Sequence, residues 1–350
     1  MAKTGFVQHP LYLEHVIDDY HPESPDRLIS IYDMVAREFA DRLTMIAPRE
    51  ASLEELTWVH DRNYVDMVAR TEGRYVRLDP DTGTCPQTYR ASLLAAGGLL
   101  TAVDALYAGE VEHVFAAVRP PGHHAEANHS MGFCLFNNVA IAAEYALKKH
   151  QARRVLIYDW DLHHGNGTQH CFERSHRVLY VSTHQFPYYP GTGNFNEVGF
   201  GEGEGYTVNI PLSGGFGGGD YLAFMDRIIK PIALEYEPDL VIVSAGYDTY
   251  ENDPLGAMKL TTEAYGVLTE RLIEIARQCA HGRLLFALEG GYHLGGLTDG
   301  VRKTLQVLLD DRAPAAWANP PLLREEMTEM VIRKVLENQR PFWKSLRAGE

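Results

Sequence analysis

The sequence predicts one α/β domain with an open, mostly parallel central sheet of about eight strands and helices on both faces. Short apolar runs recur, among them Val155-Leu156-Ile157-Tyr158 and Leu284–Leu288, and they read as strands covered on both faces. Helix-like stretches of ten or so residues separate them, which implies parallel pairing through crossovers. Each well-marked strand is followed at once by unusual chemistry, as expected at the carboxyl edge of an open α/β sheet, where ligands bind. At 350 residues the chain is long for a single domain, yet large α/β folds reach this size. With no internal repeat or linker in view, 1–350 is read as one domain and 311–350 as a peripheral C-terminal extension.

The first eighty residues read as short helices and polar loops. His21-Pro22-Glu23-Ser24-Pro25 is a stiff turn, with Ser24 or Asp26 placed to cap a helix from about Arg27 to Phe39. Leu53–Leu56 and Tyr64–Ala69 are two further short helices, and Leu78–Pro86, with two prolines and a glycine, is a loop without regular structure. The helix Gln87–Ala108 contains Ala95-Ala96-Gly97-Gly98, a sequence poor in helix propensity whose use implies close packing on a neighbour. Regular alternation follows: strand Val114–Val118, helix Asn137–Lys149, strands Val155–Tyr158 and Val178–Val181, and a short strand Thr207–Ile210. The glycine run Ser213–Asp220 lacks the Lys-Ser/Thr of a phosphate loop and reads as a connection. Helix Tyr221–Tyr236, which Pro231 is expected to kink, precedes strand Leu240–Ser244, helix Thr262–Gln278, strand Leu284–Leu288 and helix Leu297–Leu309.

Composition narrows the function. A 45% hydrophobic content supports a substantial core, and a net charge of −15 gives no electrostatic footprint for nucleic acid or an anionic membrane. The four cysteines, Cys85, Cys134, Cys171 and Cys279, lack metal-type spacing and read as reduced thiols. There is no apolar signal core at the start and no apolar run of membrane-spanning length, so a cytoplasmic location is expected.

Four strand ends carry the chemistry. Arg119-Pro120-Pro121-Gly122-His123-His124 follows the first, Asp159 to His164 the second, Ala245-Gly246-Tyr247-Asp248 the third, and Glu289-Gly290-Gly291-Tyr292 the fourth. Asp161 and His163 leave one strand end and Asp248 another, a three-ligand set for a zinc-type ion that keeps positions open for water and substrate. His123 and His124 supply acid–base groups, with Asp159 and Asn166 as partners for their ring nitrogens, and Tyr292 can approach a developing oxyanion.

With these residues in place, the chain resembles the zinc-dependent histone deacetylases and their bacterial amidohydrolase relatives, which share the arginase/deacetylase fold. The matching motifs are HPESPDR (21–27), RPPGHHAE (119–126), GFCLFNNVAIAA (132–143), YDWDLHHGNGTQ (158–169), YYPGTG (188–193), SAGYDTYENDPLG (244–256) and LEGGYH (288–293). Trp160 together with Asn166 resembles the class II branch, since class I members usually carry Asp at the latter place. The resemblance implies hydrolysis of an N-acyl amide, most often acetyl-lysine in a peptide or protein, with a small acylated amine as the other class of partner and homo-oligomerisation left open. It implies zinc on Asp161, His163 and Asp248, His124 as general base and then acid, His123 held by Asp159 in an electrostatic role, and Tyr292 polarising the carbonyl. It places Gly132, Phe133, Tyr189, Leu255 and Gly290 along the substrate tunnel, Tyr189 departing from the family's usual Phe. It further implies potassium near the zinc, on Asp159, Asp161, His163 and Ser182, and at a second site on Phe172, Ser175 and Val178. A rim residue that contacts the substrate backbone is expected at Asp79, Asp81 or Thr84.

Three alternatives are carried. Polyamine-selective relatives place a glutamate seven residues after the third ligand, where this chain has Leu255, which disfavours that reading. An arginase-like two-manganese site needs further bridging carboxylates where His164-Gly165-Asn166 stand. A catalytically degenerate acyl-lysine-binding scaffold, the alternative of another class, is disfavoured because the ligands and the tyrosine are all present.

Overall fold

A computed structural model describes residues 4–18, 20–310 and 312–347; the ends of the predicted 1–350 domain, residues 1–3 and 348–350, lie outside them. The strands are β1 (Thr4–Val7), β2 (Leu43–Ile46), β3 (Val76–Arg77), β4 (Gly83–Thr84), β5 (His113–Ala116), β6 (Val155–Asp159), β7 (Val178–Gln185), β8 (Thr207–Leu212), β9 (Leu240–Ala245) and β10 (Leu284–Leu288). Helices α1 (Asp26–Glu38), α2 (Leu53–Leu56), α3 (Arg62–Ala69), α4 (Thr88–Tyr107), α5 (Asn138–Lys149) and α6 (Asn166–Phe172) belong to the first half. They are followed by α7 (Gly218–Phe224), α8 (Lys230–Tyr236), α9 (Thr262–Cys279), α10 (Leu294–Asp310) and α11 (Glu325–Gln339).

Eight strands form one sheet in the order β2-β1-β5-β10-β9-β6-β7-β8, and every neighbouring pair is parallel. The central strands are fully buried, which is why they read as continuous apolar runs instead of alternating ones. Helices α4 and α5 pack together on the sheet, and α1, α9 and α10 form a second group. The glycine patch in α4 has the expected cause: a Cβ at Gly97 would overlap the Arg49 carbonyl oxygen.

Four sequence expectations need correction. The first eighty residues hold two sheet strands, β1 and β2, besides their helices; each is only four residues long, too short to show a period. The segment read as a structureless loop closes a two-residue antiparallel ladder between β3 and β4. Around Pro231 there is no simple kink: a π-helical turn, Met225–Ile229, joins α7 to α8. A proline ring collides with the carbonyl four residues back in an uninterrupted α-helix, and the wider turn places Pro231 in the first turn of α8. Finally, the C-terminal extension joins the core. Helix α11 packs on β8 and contributes Val331, Ile332 and Val335 to the hydrophobic core, with Trp343 and Leu346 beyond it.

Candidate active site

Strands β5, β10, β9 and β6 are consecutive in the sheet, so the four reactive segments that follow them stand side by side. Asp161, His163 and Asp248 offer ligand atoms that all lie within 4.8 Å of one another. His163 Nδ1 is 3.3 Å from Asp161 Oδ1 and 3.2 Å from Asp248 Oδ2. The outer carboxylate oxygens are held by backbone: Gly290 N–H donates to Asp161 Oδ2 at 2.8 Å and Leu162 N–H to Asp248 Oδ1 at 2.9 Å. Asp248 Oδ2 is buried and receives no well-aligned hydrogen bond. A Cβ at Gly246 or Gly290 would run into these carboxylates, so only glycine lets the strand-end backbone come this close.

The electrostatics ask for a cation. Burial, reinforced by Asp161, pushes the Asp248 carboxyl up to about 7. Burial works against the charged form of His163, but Asp161 and Asp248 outweigh it and raise the ring to about 9. Two buried carboxylates and an imidazole, converging with one oxygen left without a donor, are a donor set that fits zinc.

The two adjacent histidines diverge in character. His123 Nδ1 lies 3.0 Å from Asp159 Oδ2, and His124 Nδ1 lies 2.8 Å from Asn166 Oδ1. Burial would lower His123, yet Asp159 and Asp161 raise it to about 10. His124 is pushed the other way, by burial and then by the neighbouring His123 and His163, well below the ordinary imidazole value. One ring is thus a standing cation and the other a neutral base, only 4.0 Å apart between ring centroids.

Above them opens a narrow cleft lined by Asp81, Phe133, Tyr189, Leu255 and Tyr292, with His123, His124, His163, Gly132 and Gly290 toward its floor. Gly132 and Phe133 both take positive φ, 56° and 69°. A Cβ at Gly132 would strike the His124 ring, and the double left-handed turn sets Phe133 edge-on to Tyr292 at 5.9 Å. Tyr189 stands edge-on to His124 at 5.2 Å. Of the three rim candidates, Asp81 is the one on the cleft wall. Asp79 accepts from the Asp81 and Thr82 amides at 2.8 and 2.6 Å, and Thr84 is buried in β4.

Other placements differ from a single cluster. His164 turns away from the site to Thr192 and Gln169. Ser182 sits opposite Asp159 in the β6–β7 register and bonds His184, while Phe172 ends α6, Ser175 lies in the connection that follows and Val178 opens β7.

Several supporting residues were not assigned from sequence. Buried Glu289 accepts from the Gly122 and His123 amides at 2.7 and 3.3 Å, fixing the turn that carries the histidine pair, and burial raises it to about 7. Asp253 accepts from the Tyr292 amide at 2.7 Å, and the Arg27 guanidinium lies 5.1 Å above the Tyr292 ring. Arg27 is paired with Glu23, which also binds Arg119, and all three are buried. The stiff turn HPESPDR marked this place in the sequence, but only the fold shows what it touches.

Residues 21–308 match the family described as the histone deacetylase domain. A protein of Archaeoglobus fulgidus described as a probable deacetylase is 41% identical over 296 residues, covering 84% of this chain and 82% of that one. A polyamine deacetylase of Homo sapiens is 40% identical over 339 residues, 93% of this chain but 50% of its own length. Among solved structures, the HD domain of HDA15 aligns with a TM-score of 0.89 at 38% identity, covering 99% of this chain and 96% of that one. The chain spans most of the archaeal protein and half of the human one.

Proposed function

Since the chain belongs to the histone deacetylase family and is a deacetylase-type hydrolase, we propose that it uses zinc to remove acetyl or other acyl groups from the side-chain amine of lysine. The observation that carries this reading is the pairing of the Asp161–His163–Asp248 donor set with a neutral His124 at the floor of one cleft. Zinc bound there supplies Lewis-acid polarisation and a water acidified toward ~7. Phe133 and Tyr189 flank the entering acyl-lysine stem and exclude water from it. His124 takes the proton of the attacking water and returns it to the departing amine. His123, protonated through Asp159, offsets the negative charge that develops beside it. Burial holds the Tyr292 phenol well above its ordinary pKa, so its hydroxyl stays protonated and can donate to the developing oxyanion.

Potassium ions on the Asp159–Ser182 side and at the Phe172–Val178 connection are part of the same proposal, as charge compensation for buried Asp159 and as a clamp on the turn before β7. A cytoplasmic setting is also proposed, in keeping with four unpaired cysteines.

Metal analysis of the purified protein is expected to give one zinc per chain, with activity lost on chelation and regained with zinc; two manganese per chain would overturn the reading. Substrate class is tested by comparing an acetyl-lysine peptide with acetylputrescine, the peptide being expected to turn over faster. Leu255, on the cleft wall, offers no charge to a second amine. Leu255→Glu is therefore expected to shift the ratio toward the diamine by roughly tenfold, the scale of one partly screened charge pair. A wild-type protein that strongly prefers acetylputrescine would replace lysine by polyamine as the substrate.

A further inference from the structure

The base must present a lone pair to the cleft, and an imidazole can do so from either nitrogen. What selects the nitrogen lies outside the cleft. Asn166 Nδ2 is within hydrogen-bond reach of Glu126 Oε1, while Asn166 Oδ1 meets His124 Nδ1 at 2.8 Å. Resting on the reading of His124 as the base, we infer that Glu126 is a positioning residue that fixes the tautomer of His124 through the Asn166 side-chain amide.

An ionised carboxylate only accepts hydrogen bonds, and a primary amide donates at nitrogen and accepts at oxygen. Glu126 therefore draws Asn166 Nδ2 to itself and turns Oδ1 toward His124. An amide oxygen only accepts, so His124 must carry its proton on Nδ1 and keep Nε2 free on the opposite side of the ring. The other acceptors near Asn166 Nδ2, the His124 carbonyl and Met131 Sδ, are both at 3.3 Å and hold it more weakly. Glu126 is kept charged from outside. His170, one turn after Asn166 on α6 and 42% exposed, pairs with its Oε1 at 2.8 Å. Burial would raise the Glu126 carboxyl, but the bonds from His170 and Asn166 bring it below the usual value.

The same geometry explains why residue 166 is an amide. An aspartate there would set its second oxygen against the Glu126 carboxylate, and two carboxylates in contact cannot both stay ionised without cost.

The test is a double-mutant cycle on the zinc-loaded enzyme with an acetyl-lysine peptide. Asn166→Asp is expected to lower kcat ~10–100-fold, the range for a group that orients a site ligand from behind, with KM moved less than about threefold. Adding Glu126→Gln, whose amide can donate to the new aspartate, should recover all but about fivefold of wild-type kcat. The melting temperature of the metal-free protein gives a readout apart from activity: Asn166→Asp should lower it and the second substitution should raise it again. Should Asn166→Asp not fold, Glu126→Ala and Glu126→Gln are compared in the native background, where the glutamine keeps an acceptor and must retain more kcat. Equal effects of Glu126→Gln in both backgrounds, or equal losses for Ala and Gln, overturn the inference. A His124→Ala enzyme that is inactive while the pair shows no coupling removes only this inference; an active one removes the assignment of the base beneath it.

Discussion

Replacing His124 with alanine is expected to lower kcat on an acetyl-lysine peptide by at least ~100-fold, the scale of a lost general base. The reason is specific to this ring. His123 is held as a cation by Asp159 and Asp161, so it has no lone pair to offer, and among the described groups on the cleft floor His124 is the one that burial and cationic neighbours keep neutral. Zinc content should stay near wild type, because His124 bonds Asn166 and none of the three ligands. A loss smaller than tenfold would mean that the proton goes elsewhere, with His123 the first candidate.

Glu23→Gln is expected to cost about 3–5 kcal/mol of stability, the usual result of breaking a buried ion pair from one side. Glu23 is fully buried against Arg27 and Arg119, and Arg119 also donates to the Tyr12 and His15 carbonyls at 2.7 and 2.9 Å. Burial opposes the charge on Glu23, but the two guanidinium groups hold its carboxyl well below the ordinary range. A depressed carboxylate stabilises above its unfolded pKa near 4 and loses that contribution only as pH falls through the lower folded value. The wild type should therefore keep this contribution in mild acid, and the variant should lack it at every pH above that window. Urea titration at pH 7 measures the difference; a change below about 1 kcal/mol, the size for a surface pair, would show that the cluster is solvated. Since Arg27 also covers the Tyr292 ring, a drop in kcat should accompany the loss of stability.

The sequence made the sheet's centre and the reactive strand ends legible for one physical reason. Parallel strands buried on both faces must be apolar throughout, so the first Asp, Arg or Glu after each marks where the chain leaves the sheet. That placed Asp161, His163, Asp248, His123, His124 and Tyr292 in one crevice without any pairing information. Short edge elements carry no such mark: β1 contributes four residues and includes Gly5, and β2 buries only Leu43, leaving Thr44 and Met45 exposed and Ile46 half-buried. Supporting groups were illegible for a different reason. Glu289 reads as a strand-end acid like any other, and its bond to the Gly122 amide follows only from β10 lying beside β5. Likewise Glu23, Arg27 and Arg119 meet across about ninety residues of chain (|i−j| = 96 for Glu23 and Arg119), a distance over which no local pattern reaches.

One-directional strands also divide the molecule into a working side and a plain side. The connections entering the central strands, 108–112, 150–154, 237–239 and 280–283, are brief and hold none of the reactive groups, whereas those leaving them, 117–137, 160–165, 246–261 and 289–293, hold them all, the first and third being long. A tether, label or immobilising handle grafted onto the brief connections would sit across the full depth of the sheet from the mouth of the cleft, leaving entry and exit of large acylated chains unobstructed.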